Sequence, residues 1–385
     1  MKIESLIQDQ SLTLILQGKL DISTASKFEQ ALKLDSVKEL ILDFKACNYV
    51  SSVGLRVILI ALRTLKSNDG KIIVKNVDSN IYEIFVMTGI NQLVEIHKSY
   101  REISTDNFEL ISAGVCGECY RIDKENIVKL YNEGISADIA EKEKKFAREA
   151  LILGIPTALS YDIVSCGNRT GIIYELLNAR LFSEVINADP DNLDTHAKTL
   201  VGVAKQIHTA KGDPKIFPLI KNNFRDYINQ MDFFLSKDEI DFLLEKLYTI
   251  PDSDTCVHFD IHTSNIMMKD NDPLVIDLGD LSIGSYYFDI GLLYMIYGIP
   301  ELNICQMATK IPLETGIKLW EAFSKNYFLD KPVEDFDYFY NNRYFFASLR
   351  IIYTITFLPK LKDELVTMMK QILIPRMMNI NCNED

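Results

Sequence analysis

The sequence predicts an α/β module over residues 1–100, followed by a larger α+β module from about residue 108. Three observations predict this. Apolar periodicity switches between two and about 3.6 through the first hundred residues, so strands alternate with helices as in a sheet under helical cover. A polar stretch at 101–107 then interrupts the pattern as a linker. Beyond it the strands come early and the helices late, which is the order of an α+β fold.

Element by element, residues 2–8 and 11–18 read as strands, with Leu12, Leu14 and Leu16 alternating with polar neighbours. Asp21 to Leu32 reads as a helix capped by Ser23 or Thr24. Leu40 to Phe44 is a buried strand, Ser52 to Leu65 an apolar helix, and Ile72 to Val74 the next strand. Ser79 to Met87 is an amphipathic helix, and Leu93 to Ile96 a short strand. In the second module, Phe108–Ala113 and Cys119–Ile122 flank a turn holding Gly114 and Gly117. Ile127–Tyr131 alternates as a strand. Ala137 to about Leu153 is a helix stopped by Gly154-Ile155-Pro156. Asn192–His208, Phe224–Leu247 and the region from Leu313 onward read as helical.

Composition narrows the function. Of 385 residues, 48% are apolar and the net charge is −13, enough apolar content for a real core. Residues 1–100 are nearly neutral, so the acidic excess lies in the second module. That argues against a nucleic-acid partner, which needs a basic face. No apolar run approaches the ~20 residues of a membrane span, and the N-terminus enters a strand pattern directly. Seven scattered cysteines suit reduced thiols and a cytoplasmic location. Cys116 and Cys119, a lone Cys-x-x-Cys, read as loop residues.

The chemistry concentrates at His258-Phe259-Asp260-Ile261-His262-Thr263-Ser264-Asn265 and at Asp277-Leu278-Gly279-Asp280. Phosphoryl transfer needs a carboxylate for the acceptor proton and oxygen ligands for Mg²⁺. Asp260 suits the first role; Asn265 and Asp277 suit the second. A divalent-metal hydrolase built on His258, Asp260 and His262 is the competing reading, but it leaves Asn265 and Asp277 without a task.

These segments resemble the kinase-like phosphotransferases, the group of aminoglycoside phosphotransferases and choline kinases. Phe259 stands where that group has glycine. The resemblance implies a bilobal protein-kinase-like fold, with an N-lobe at about 108–177 and a C-lobe at about 178–385. It implies ATP and Mg²⁺ as cofactors and Asp260 as catalytic base, with Asn265 and Asp277 on the metal. It places Lys129 on the nucleotide phosphates, paired with a helix glutamate, best Glu143, with Glu141 and Glu149 as competitors. It also implies Gly114 and Gly117 over the phosphates, the backbone of Glu175 and Leu177 at the adenine, and Asp289 as a brace for the catalytic loop.

Leu16-Gln17-Gly18-Lys19-Leu20-Asp21 and Asn48-Tyr49-Val50-Ser51-Ser52-Val53-Gly54-Leu55-Arg56 resemble the STAS domain, the anti-sigma-factor antagonist fold. The resemblance implies Ser52 as a phosphorylation candidate and an anti-sigma-factor-like protein as partner. Ser52 also reads simply as a helix N-cap. Two functions therefore stand: a phosphotransferase acting on a small-molecule hydroxyl or a protein serine, and a non-catalytic signalling scaffold that switches partners through Ser52.

Overall fold

The computed structural model describes residues 1–114, 116–269, 271–358 and 361–378. The chain divides into two compact units, one of residues 1–104 with 164–167 and the other of 105–163 with 168–385.

In the first unit, strands β1 (Lys2–Gln8), β2 (Ser11–Leu20), β3 (Glu39–Val50), β4 (Lys71–Val77) and β5 (Glu95–Lys98) form one sheet in that order. The β1–β2 pair is antiparallel and the remaining pairs are parallel. Helices α1 (Ala25–Ala31), α2 (Ser52–Lys66) and α3 (Ser79–Met87) supply the crossovers that parallel strands require. Leu12, Leu14 and Leu16 are buried, as their alternation predicts, and pack with Phe28, Ile58 and Phe85. Two local expectations are corrected. The first helix begins at Ala25 rather than Asp21, with Thr24 at the N-cap position as one of the two expected caps, but its hydroxyl closes a turn instead of capping the helix, accepting from Asp21 N–H at 2.8 Å. The cap of α2 is Ser51, whose hydroxyl accepts from Gly54 N–H at 3.3 Å; Ser52 is the first helical residue and is exposed. Gly54 is needed here: a Cβ would meet Leu20 Cγ at 2.5 Å.

The second unit follows a two-residue strand, β6 (Arg101–Glu102), which falls in the stretch expected to be linker. Strands β7 (Glu109–Ala113), β8 (Gly117–Arg121), β9 (Asn126–Tyr131), β10 (Ser160–Cys166) and β11 (Arg169–Glu175) share a sheet in the order β10-β11-β9-β8-β7. Cys119 therefore sits on a strand rather than in a loop. Helix α4 (Ala137–Ile152) buries Ala140, Glu143, Phe146, Ala147 and Ala150, one stripe at helical spacing.

After β12 (Arg180–Leu181) helices dominate: α5 (Phe182–Ala188), α6 (Leu193–Thr209), α7 (Ile220–Asn229) and α8 (Lys237–Thr249). The single helix expected over 224–247 is broken, because Ser236 and Glu239 form a capping box that starts α8 afresh. Four short strands follow, β13 (Cys256–Val257), β14 (Ile266–Lys269), β15 (Asp272–Val275) and β16 (Ser282–Ile283). Helices α9 (Tyr287–Leu293), α10 (Cys305–Thr309), α11 (Leu313–Phe328), α12 (Val333–Phe357), α13 (Lys362–Met368) and α14 (Ile374–Met377) complete the unit. No described helix is long and apolar enough to cross a membrane.

Candidate active site

Two hairpin-like pairings build the site. The loop 258–265 lies between β13 and β14, and the turn 276–281 lies between β15 and β16. Pairing of β14 with β15 and of β13 with β16 brings loop and turn side by side. Two further hydrogen bonds join them: Ile276 N–H donates to Asn265 O at 3.0 Å, and His258 Nε2 to Ile276 O at 3.2 Å.

Asp289, fully buried at the start of α9, fixes the loop backbone. Its carboxylate accepts from His258 N–H at 2.8 Å and Phe259 N–H at 2.6 Å, and bonds His208 Nε2 at 2.9 Å. Phe259 is held at φ +61°, a region that bulky residues rarely enter. Its ring compensates by packing on Phe224, Phe288 and Tyr353, with centroids 5.2–6.3 Å apart. The glycine-to-phenylalanine change thus keeps a glycine-like backbone and adds an apolar anchor.

Asp260 follows immediately. Its Oδ2 accepts from Asn265 Nδ2 at 3.0 Å, and Asn265 Nδ2 also reaches the Asp260 carbonyl at 2.9 Å. The amide nitrogen of Asn265 is thereby committed to the loop, which leaves its carbonyl oxygen as the potential metal donor. The other carboxylate oxygen of Asp260, Oδ1, lies 2.6 Å from Arg350 Nη2. Burial raises the Asp260 pKa, but Arg350, His262 and His258 outweigh it and hold the carboxyl below its ordinary value.

Across the site, Lys129 on β9 bonds both carboxylate oxygens of Glu143 at 2.9 Å and Asp277 Oδ1 at 3.0 Å. Burial opposes the ammonium charge, yet Glu143 and Asp277 raise the Lys129 pKa well above its usual value. Glu143, rather than Glu141 or Glu149, pairs with Lys129. It faces inward and takes two more hydrogen bonds, from Tyr174 Oη at 2.7 Å and from Tyr131 Oη. Glu149 pairs with Arg148. Asp277 sits at φ +62° with its side chain 47% exposed.

The turn joining β7 and β8 is closed by Gly114 N–H donating to Gly117 O at 2.8 Å; Val115 lies outside the described residues. Gly117 answers to packing, since a Cβ there would come within 2.1 Å of Leu130 O. Glu175 ends β11, with its side chain accepting from Leu159 N–H at 2.8 Å, and Leu177 follows outside any helix or strand. Just beyond them a cleft of about 380 Å³ is lined by Asn178, Ala179, Arg180, Val185 and Met268.

His-x-Asp-x-His does not form a metal cage. His258 Nδ1 accepts from Asp260 N–H at 3.2 Å, so both of its ring nitrogens are engaged. Among the described residues no group of three His, Cys, Asp or Glu side chains is placed to hold a metal.

Comparison with known proteins agrees with this architecture. Residues 107–308 match the family model described as the phosphotransferase enzyme family. The chain belongs to that family. The match takes in the sheet β7–β11, the 258–265 loop and the Asp277 turn. Residues 2–103 match the STAS domain model. In that region the chain is 27% identical over 97 residues to an anti-sigma-B factor antagonist of Listeria monocytogenes, covering 24% of this chain and 85% of the relative. It is 25% identical over 101 residues to one of Staphylococcus aureus, covering 26% and 94%. Among solved structures, an ADP-bound aminoglycoside phosphotransferase APH(2'')-Ib is 16% identical, with a TM-score of 0.47 over 78% of this chain and 99% of that one. A Plasmodium vivax ethanolamine kinase is also 16% identical, at 0.47 over 71% and 84%.

Sequence reasoning missed Arg350, Asp280, Tyr353, Tyr131 and Tyr174. Arg350 had a signal: it is the one charged residue in Phe345-Phe346-Ala347-Ser348-Leu349-Arg350-Ile351-Ile352. A guanidinium in a buried run needs an anionic partner.

Proposed function

We propose that this phosphotransferase moves the γ-phosphoryl group of ATP, with Mg²⁺, to a hydroxyl acceptor. The observation that supports this best is the assembly of Lys129, Glu143, Asp260, Asn265 and Asp277 from separate elements around one loop and one turn. Lys129 would hold nucleotide phosphates, oriented by Glu143. Asp260 would receive the acceptor proton. Asn265 Oδ1 and Asp277 fit Mg²⁺, which is ordinarily held by one or two protein oxygens plus substrate phosphates. When bound, the metal would neutralise charge developing on the phosphates. Gly114 and Gly117 would cover the phosphates, and the backbone of Glu175 and Leu177 would meet the adenine beside the 380 Å³ cleft.

The STAS unit would couple this activity to a protein partner resembling an anti-sigma factor, with Ser52 as the phosphorylation candidate. Its exposure at the first turn of α2 supports this, because free N–H groups and the helix dipole favour a phosphate there. Acceptors in scope are small-molecule hydroxyls and a protein serine.

Calorimetric titration with a non-hydrolysable Mg·ATP analogue tests the nucleotide site. Wild type should bind and Asp277→Ala should lose most of its affinity; equal binding by the two, or none by either, rejects the proposal.

A further inference from the structure

Arg350 lies on α12 in a run where residues 345–349 and 351–352 are all buried, and its own side chain is only 15% exposed. Three contacts radiate from its guanidinium. Nη2 is 2.6 Å from Asp260 Oδ1, while Nη1 donates to Phe259 O at 2.8 Å and Asp280 Oδ2 at 3.2 Å. Asp280 belongs to the turn that carries Asp277, and its second oxygen accepts from Tyr353 Oη, one helical turn beyond Arg350. The guanidinium also sits 5.3 and 4.9 Å from the ring centroids of Phe259 and Tyr353.

A planar fork with fixed donors can tie two carboxylates in one geometry, as a lysine ammonium cannot. Without it, Asp260 and Asp280 would face each other as like charges in a poorly solvated site. Oδ1 is held at 2.6 Å by the Arg350 cation, whereas Oδ2 accepts from the neutral Asn265 amide at 3.0 Å, so Oδ2 is the more basic oxygen and keeps a lone pair for a proton.

We propose that Arg350 is a positioning residue for phosphoryl transfer, holding the Asp260 carboxylate against the Asp277–Asp280 turn so that Oδ2 faces the acceptor hydroxyl. The role rests on the phosphotransferase reading. In the step it serves, the acceptor oxygen bonds the γ-phosphorus and the bond to the bridging oxygen of ADP breaks. The acceptor proton passes to Asp260 Oδ2.

The test uses the full chain and Mg·ATP with water as acceptor, following phosphate release and, separately, Mg·ADP binding. Arg350→Ala should lower kcat by roughly tenfold or more while KM and Mg·ADP affinity stay within about twofold. Millimolar guanidinium should restore part of that kcat, and none of it in Arg350→Ala/Asp260→Asn. Arg350→Lys, which keeps the charge and guards against failure to fold, should fall between wild type and Arg350→Ala. Unchanged kcat in Arg350→Ala overturns the role while leaving the phosphotransferase reading intact. So does joint loss of kcat and nucleotide affinity in both single variants with no guanidinium response. A wild type that neither releases phosphate nor binds Mg·ADP overturns the reading and the role together.

Discussion

Phe259 shows how a residue can be both strained and stabilising. Its left-handed backbone costs about 1–2 kcal/mol relative to an ordinary conformation. Its buried ring contributes more, since removing a core phenylalanine typically costs about 3–5 kcal/mol. Packing therefore wins, and the two terms separate by mutation. Phe259→Gly should relieve the strain but lose the ring, ending about 2 kcal/mol less stable than wild type. Phe259→Ala should lose the ring and keep the strain, so its melting temperature should fall below that of Phe259→Gly. The reverse order in a thermal melt would mean that the loop backbone is not held at positive φ. Glu143 raises a parallel point. It was one of three glutamates open on the sequence, and the structure selects it because two tyrosine hydroxyls and Lys129 converge on the inward face of α4. Tyr174→Phe removes one charge-assisted bond and should destabilise the chain by about 1–3 kcal/mol in chemical denaturation.

At the level of elements, regular periodicity made most strands and helices legible: β2, β3, β9, α4 and α6 lie where alternation or a 3.6-residue stripe predicts. Side-chain competition for backbone groups was less legible. The turn at Asp21 shortens α1, and the Ser236–Glu239 capping box splits a helix that apolar spacing alone would continue. The same competition decides which serine caps α2. Ser51→Ala should destabilise the chain by about 1 kcal/mol, whereas Ser52→Ala should leave stability nearly unchanged. Equal losses would contradict the cap assignment. For the candidate site, the loop and turn were readable because their residues are close in sequence. Arg350 was not, because α12 reaches Asp260 only through the tertiary fold, ninety positions away along the chain.

Among the described residues the two units have separate hydrophobic cores: one around the sheet β1–β5, and in the second unit a large cluster of α4 with the helices that follow β12, beside a small one at Tyr131, Ala140 and Ile172. Separate cores predict two unfolding transitions in calorimetry. A Mg·ATP analogue should raise the transition of the second unit, since a ligand stabilises what binds it. A shift confined to the other transition would place the nucleotide in the wrong unit. In the proposed reaction, phosphoryl transfer turns on Asp260. The most direct measurement compares phosphate release from Mg·ATP by wild type and Asp260→Asn at matched nucleotide saturation. Loss of a general base should cut kcat by about 10²–10⁴-fold, with Mg·ADP binding retained. Equal turnover by the two proteins would contradict it.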